Sequence, residues 1–344
     1  MAVVARNNGD LQLTDEERAK TKEFGKDLAG RTGLVVVTYP LSFAKVLFQL
    51  GHEPYPLTEG KSLFFFGRHS YFLPNVLKYI SNIVQDQGLK TLFTGFDAAI
   101  AALVVGGTAS FATQLYIDRY FPSLGGDPLE DKEEHEIDDH YSAQLQVRKA
   151  VRKTVSQLVG TIISRPFTVI MIRRIAQEIT GENKYTNFIC SFFKIGREEG
   201  PRGLFSGLLP ALIADIITIW GVTAIRYGVE RVLIRTGIDD TNDAEQKERA
   251  KEGRFLLNYV VPFIVAGFSY PYQVVSTVMA LTGSGLAVSL LPYSPLFPSW
   301  LDAFDYMKAN RATTRGARLF VREYKEAVSI GSDGKYYALT KHYV

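Results

Sequence analysis

Five stretches of this chain are mostly apolar over a length near the ~20 residues that a helix needs to cross a bilayer. They cover residues 33–50, 96–117, 155–175, 208–233 and 255–281. None is a clean run: Lys45, Arg165, Arg173, Arg174, Asp215 and Arg226 interrupt them. A soluble helical bundle would show the same interruptions. A membrane tolerates such charges when they face the interior of a bundle. The other charges crowd into residues 10–26, 127–153 and 239–254 and leave the long stretches nearly bare, which favours spans. Three shorter segments, 74–85, 184–199 and 300–308, carry apolar residues at helical spacing and predict amphipathic surface helices. Residues 323–344 include Glu323, Lys325, Glu326, Asp333, Lys335 and Lys341, with no apolar run of spanning length, and are expected to form a polar tail. Residues 1–27 are expected to form another.

The polar positions inside the spans follow the helical period. Thr38, Ser42, Lys45 and Gln49 are four, three and four apart, so a helix puts them on one face. Thr161, Arg165 and Thr168 repeat that face in the third span, and Ser269, Gln273 and Ser276 in the fifth. Asp215 and Thr218 begin one in the fourth. Two readings are open. The stripes line a wet interior, or they hold the helices to one another. A hydroxyl can also bond its own helix backbone. Lys45 and Asp215 point to a pathway or a partner, since an ionised group in hydrocarbon costs about 2.5–3.5 kcal/mol on insertion scales. Arg173 and Arg174 lie near a span end, within reach of the surface by snorkelling. Gly106 and Gly107, with Ala102 and Ser110 on either side, suggest a close helix contact.

A longer period overlies the helical one. A proline sits in the first, third and fifth spans, at Pro40, Pro166 and Pro271. Gly88 to Gly95 and Gly200 to Gly207 share the form Gly-x-x-x-x-Phe-x-Gly, each just ahead of a new apolar run. Gly316 to Phe320 echoes it loosely in a third, incomplete copy. This pattern resembles the mitochondrial solute carrier family. That family follows its proline with an acid at the second position and a base at the fifth. Here those positions hold Ser42 and Lys45, Thr168 and Met171, and Gln273 and Ser276. The segments from Tyr39 to Pro54, Phe66 to Arg68, Leu73-Pro74, Gly285 to Ala287, Pro292 to Pro295 and Ser299 to Asp302 are similar to a divergent branch, the mitochondrial carrier homologs. The resemblance implies a three-repeat, all-α membrane bundle with about five transmembrane helices, the sixth missing. Repeats are expected at about 28–120, 150–235 and 254–322, joined by an acidic loop at 121–140.

It also implies a function. Members of that branch sit in the outer mitochondrial membrane. They are implied to insert α-helical proteins there, including tail-anchored ones, to scramble lipids, and to act as a receptor for the pro-apoptotic protein Bid. Losing the sixth helix would open one side of the wet cavity to lipid and lower the cost of moving a polar group across. The expected groove residues are Ser42, Lys45, Gln49, Arg165, Arg173, Asp215, Tyr270 and Gln273. Two alternatives stay open: an inner-membrane metabolite transporter, and a receptor or scaffold that translocates nothing.

Composition narrows little further. A formal charge of +3 makes no case for nucleic acid. Cys190 is the single cysteine, so no internal disulfide forms. The first residues mix acids with bases, unlike a mitochondrial presequence, and lack the apolar core of a secretory signal. Any targeting signal is expected to be internal. The loop at 121–140 holds eight acids against Lys132, the pattern of a solvated linker or of a docking loop for a basic partner. The five histidines show no metal-ligand spacing with Cys190. No phosphate-cradling glycine loop and no nucleophile–base set is found, so neither cofactor nor catalytic site is expected.

Overall fold

The computed structural model describes residues 14–61, 67–126, 139–235, 244–290 and 295–338. The polar residues 1–13, Phe66, most of the acidic loop at 127–138, Pro292 and the last six residues lie outside them.

Five long helices fill the expected spans: α1 (Asp15–Gln49), α3 (Phe96–Tyr120), α4 (Asp139–Thr180), α7 (Leu208–Arg235) and α8 (Ala244–Leu281). All five are long and apolar enough to cross a membrane. Three of them start well before the apolar run. α1 begins at Asp15 because Thr14 caps it: its hydroxyl accepts from the Glu17 amide at 3.3 Å, and the Glu17 carboxylate accepts from the Thr14 amide at 2.8 Å. Asp15, Glu16 and Glu17 then sit in the first turn, where the helix dipole favours acids. Part of the expected N-terminal tail is therefore helix.

The amphipathic segments form α2 (Val76–Gln87), α5 (Phe188–Glu198) and α9 (Trp300–Ala309). Each starts at a side-chain cap: Asn75, Asn187 and Ser299 accept from the amide three residues on. A single short turn, α6 (Pro201–Leu204), lies between α5 and α7.

Strands were not expected, and two small sheets form. β1 (Thr58–Lys61) pairs antiparallel with β2 (His69–Phe72), and β2 with β3 (Glu323–Tyr324). β4 (Val328–Ile330) and β5 (Tyr336–Ala338) make a hairpin. The polar C-terminal segment is thus folded back onto the connection after α1. The Leu57 amide adds a bond to the Tyr336 carbonyl at 2.7 Å.

Helix contacts follow the small residues. A Cβ on Gly106 of α3 would sit 2.8 Å from the Ser164 Cβ of α4, and one on Gly160 would sit 2.8 Å from the Gly106 carbonyl oxygen. The two backbones approach too closely for side chains there. The outward faces stay apolar: Phe263 is 82% exposed and Val37 77%, as suits contact with lipid.

The topology fixes the ends. The five candidate spans among the described residues leave Thr14 and the C-terminal strands at opposite ends of the bundle, with β3 beside the α1–α2 connection. In sealed membranes, tags at residues 1 and 344 should therefore differ in protease access, and the protein should resist alkaline carbonate extraction. Equal access of the two tags would overturn the five-span topology.

Candidate functional site

The repeat motifs build one closed end of the bundle. In each repeat the residue before the proline donates to the carbonyl before a left-handed glycine. Tyr39 bonds the Thr94 carbonyl at 2.6 Å, Arg165 Nε the Ser206 carbonyl at 2.9 Å, and Tyr270 the Arg315 carbonyl at 2.7 Å. The glycines that follow, Gly95, Gly207 and Gly316, have φ of 82°, 69° and 72°. Each abuts the next repeat at the fifth residue past its proline. A Cβ there would lie 3.1 Å from the Met171 carbonyl oxygen, 2.4 Å from that of Ser276 and 3.4 Å from that of Lys45. Only glycine combines this backbone with this approach. The third repeat thus closes the ring back onto the first, although no sixth span is present among the described residues. Gly316 holds the place of the second glycine of the motif, not the first, and Arg311 (φ 52°) holds a left-handed position just past α9, as Gly88 does past α2.

Buried polar groups reinforce this end. Arg173 is fully buried, pairs with the Glu199 carboxylate and donates to the Ala280 carbonyl at 2.8 Å. Arg165 also reaches the Ser276 carbonyl at 3.0 Å. Gln49 is buried between α1 and α8, donating to Tyr270 Oη at 3.3 Å and accepting from Thr277 at 3.0 Å. The Lys45 ammonium sits 5.2 Å from the centre of the Tyr270 ring.

Away from this end the bundle opens. A cavity of about 700 Å³ lies between α1, α3 and α4. Its wall carries Arg31, Lys149, Arg152 and Lys153 against one lining carboxylate, Asp27. Arg31 pairs with Asp27 at 2.7 Å, and Arg152 pairs with Asp118. Gln114, Gln157, Thr161 and Ser164 add polar groups, and Phe24, Leu103 and Phe111 supply apolar wall. Asp215 is tied to that wall from α7: it accepts from the Thr161 hydroxyl at 2.5 Å.

The expected groove residues therefore divide. Ser42 and Gln273 are exposed, and Lys45 and Asp215 are half-buried. Gln49 and Tyr270 are held in the closed end. Arg165 and Arg173 face no groove: they are 4% and 0% exposed, because their guanidinium groups are taken up by buried carbonyls and a carboxylate. Arg173 does not snorkel. Arg174 pairs with Asp97, and Arg226 reaches the Asn258 carbonyl at 3.4 Å. The hydroxyls split the same way. Thr38 and Thr168 bond their own helices, and Ser276 bonds the Gly207 carbonyl. The cavity residues Asp27, Arg31, Lys149 and Lys153 were missed. The signal was there: Lys149, Lys153, Gln157 and Thr161 recur every fourth residue, extending the α4 stripe into what read as loop charge.

The profile of mitochondrial carrier proteins matches residues 28–124 and 148–233. Mitochondrial carrier homolog 2 of Homo sapiens is 31% identical over 296 residues, covering 85% of this chain and 91% of that protein. The chain belongs to the mitochondrial carrier homologs, within the mitochondrial carrier family. Mitochondrial carrier homolog 1 of Mus musculus is 30% identical over 312 residues, 87% of this chain and 76% of that protein. A putative mitochondrial transporter, UCP3 of Bos taurus, is 25% identical over 191 residues, about half of each chain. This mitochondrial carrier homolog is accordingly a mitochondrial membrane protein.

Proposed function

We propose that this mitochondrial carrier homolog is an insertase of the outer membrane for α-helical proteins, tail-anchored ones included, and that lipid headgroups cross by the same route. One observation carries the reading: a cavity with a charged, polar wall in a membrane bundle that has five candidate spans, and no sixth, among the described residues. The described contacts between α1 and α8 gather at Lys45, Gln49, Tyr270 and Thr277. Towards the other end these two helices present Leu34 and Val37, and Phe263 and Phe268, all more than 60% exposed. A client's polar tail meets fixed dipoles and charges in the cavity, which lowers its desolvation cost. Its apolar segment leaves sideways into lipid.

The closed end argues against a metabolite transporter. Alternating access must open that end in every cycle. Here it is held by buried arginine and tyrosine bonds and by glycine-to-backbone contacts, where the carrier pattern has breakable charge pairs.

The test is insertion of a labelled tail-anchored protein into mitochondria depleted of this protein. Insertion should fall and return on re-expression. Unchanged insertion, or substrate uptake by liposomes carrying the pure protein, would overturn the reading.

A further inference from the structure

The position before the closing glycine is treated differently in the third repeat. In the first it is Thr94, whose hydroxyl donates to the Glu178 carboxylate at 3.2 Å. In the second it is Ser206, whose hydroxyl donates to the Met279 carbonyl. Both side chains find protein partners. In the third it is Arg315, and its Nη1 is buried with no hydrogen-bond acceptor among the described residues. A buried charged donor left without an acceptor is destabilising, so such a group calls for a ligand.

The backbone holds Arg315 in place. Tyr270 bonds its carbonyl, its amide bonds the Ala312 carbonyl at 3.1 Å, and Gly316 is wedged against Phe48 and Lys45. The side chain lines a pocket of about 520 Å³ between the end of α1 and residues 310–326. Arg311, Arg318 and Lys325 line it too. Arg311 stands in a left-handed conformation that a glycine would adopt without strain. Among the described residues no pocket acid accepts a hydrogen bond from Arg315 Nη1, although Glu326 lines the pocket and attracts the guanidinium. Glu53 is taken by the buried Arg322, which also stacks 3.6 Å from the centre of the Phe48 ring. Glu323 accepts from Ser70 at 2.8 Å and pairs with Lys325 at 3.4 Å. Burial pushes the Arg315 guanidinium below its ordinary value, over the opposing pull of the Glu326 and Glu53 carboxylates.

We propose that this pocket binds a phosphate-bearing anion, with Arg315 as its central ligand and Arg311 and Arg318 closing on it. Guanidinium forks match phosphate oxygens in pairs, which a single lysine does not. The volume exceeds a bare phosphate and suits a phosphate ester. Two sources share this chemistry: a phospholipid headgroup reached from the bilayer, and a soluble phosphate ester. The inference stands apart from the insertase reading, because the pocket lies at the closed end and shares no lining residue with the α1–α3–α4 cavity.

The test uses the full-length protein in neutral detergent and in nanodiscs. Inorganic phosphate, titrated against chloride at constant ionic strength, should raise the unfolding temperature saturably. Arg315→Gln should lose that response, with apparent affinity at least tenfold weaker, and Arg311→Gln or Arg318→Gln should weaken it less. Without phosphate, Arg315→Gln should be no less stable than the wild type, since it removes a buried guanidinium N–H that has no acceptor among the described residues. In nanodiscs of phosphatidylcholine with or without phosphatidic acid, native mass spectrometry counts retained lipid. Phosphatidic acid held by the wild type and lost by Arg315→Gln assigns a lipid headgroup. A phosphate response with lipid retention unchanged by the substitution assigns a soluble ester. If neither phosphate nor phosphatidic acid distinguishes wild type from Arg315→Gln, the proposal is overturned. If Arg315→Gln fails to fold, unchanged phosphate responses in both Arg311→Gln and Arg318→Gln overturn it equally.

Discussion

Arg173→Ala should deplete the folded protein. Arg173 is fully buried, and the Glu199 side chain opposite is 13% exposed. The guanidinium also bonds the Ala280 carbonyl and, at 3.3 Å, the Tyr185 hydroxyl. One residue therefore joins α4 to the end of α5 and the end of α8. Removing one partner of a buried pair typically costs about 3–5 kcal/mol, because the other charge stays buried and unanswered. That is much of the stability of an ordinary domain. Abundance in mitochondria and the unfolding temperature in detergent both report it. The double change Arg173→Met with Glu199→Leu should recover much of the loss, since no lone charge remains. Normal abundance of Arg173→Ala would show that the pair does not hold the closed end.

The second large effect is expected on insertion. Lys45→Glu and Asp215→Arg should each change the insertion rate of tail-anchored clients while the protein stays at normal abundance. Lys45 meets the Tyr270 ring, a contact worth about 0.5–2 kcal/mol, so reversing it leaves the fold intact. Asp215 accepts from Thr161 in the cavity wall, so its reversal alters the field that a polar tail meets. No ion pair joins Lys45 to Asp215 among the described residues, so each reversal acts alone and their effects should add. The direction depends on whether each charge guides a client or retains it. Abundance and insertion belong in one experiment. Normal abundance with unchanged insertion for both reversals would remove these residues from the groove, whereas lost abundance would assign them to structure.

The three amphipathic helices were legible because their apolar residues keep the helical period and each has a capping residue in front. The helix extension to Asp15 was not, because a charged, solvated helix leaves no apolar period to read. Arg165 and Arg173 read as groove residues because periodicity gives a face and not its partner. Their acceptors lie far along the chain, at Ser206, Ser276, Glu199 and Ala280.

Sequence alone determined the family, the five spans and the repeat, because these are local: apolar runs of bilayer length, prolines and glycine motifs at fixed offsets. Only the tertiary structure decided which polar groups stay wet. It also showed that the third repeat closes onto the first through Tyr270, Gly316 and Lys45, with no sixth span among the described residues. And it showed that the polar C-terminal segment is paired to β2. Those outcomes rest on contacts between residues well separated along the chain, by 26 positions for Arg173 and Glu199 and by 253 for Ser70 and Glu323, and pattern along a chain carries no record of which distant carbonyl a buried donor will find.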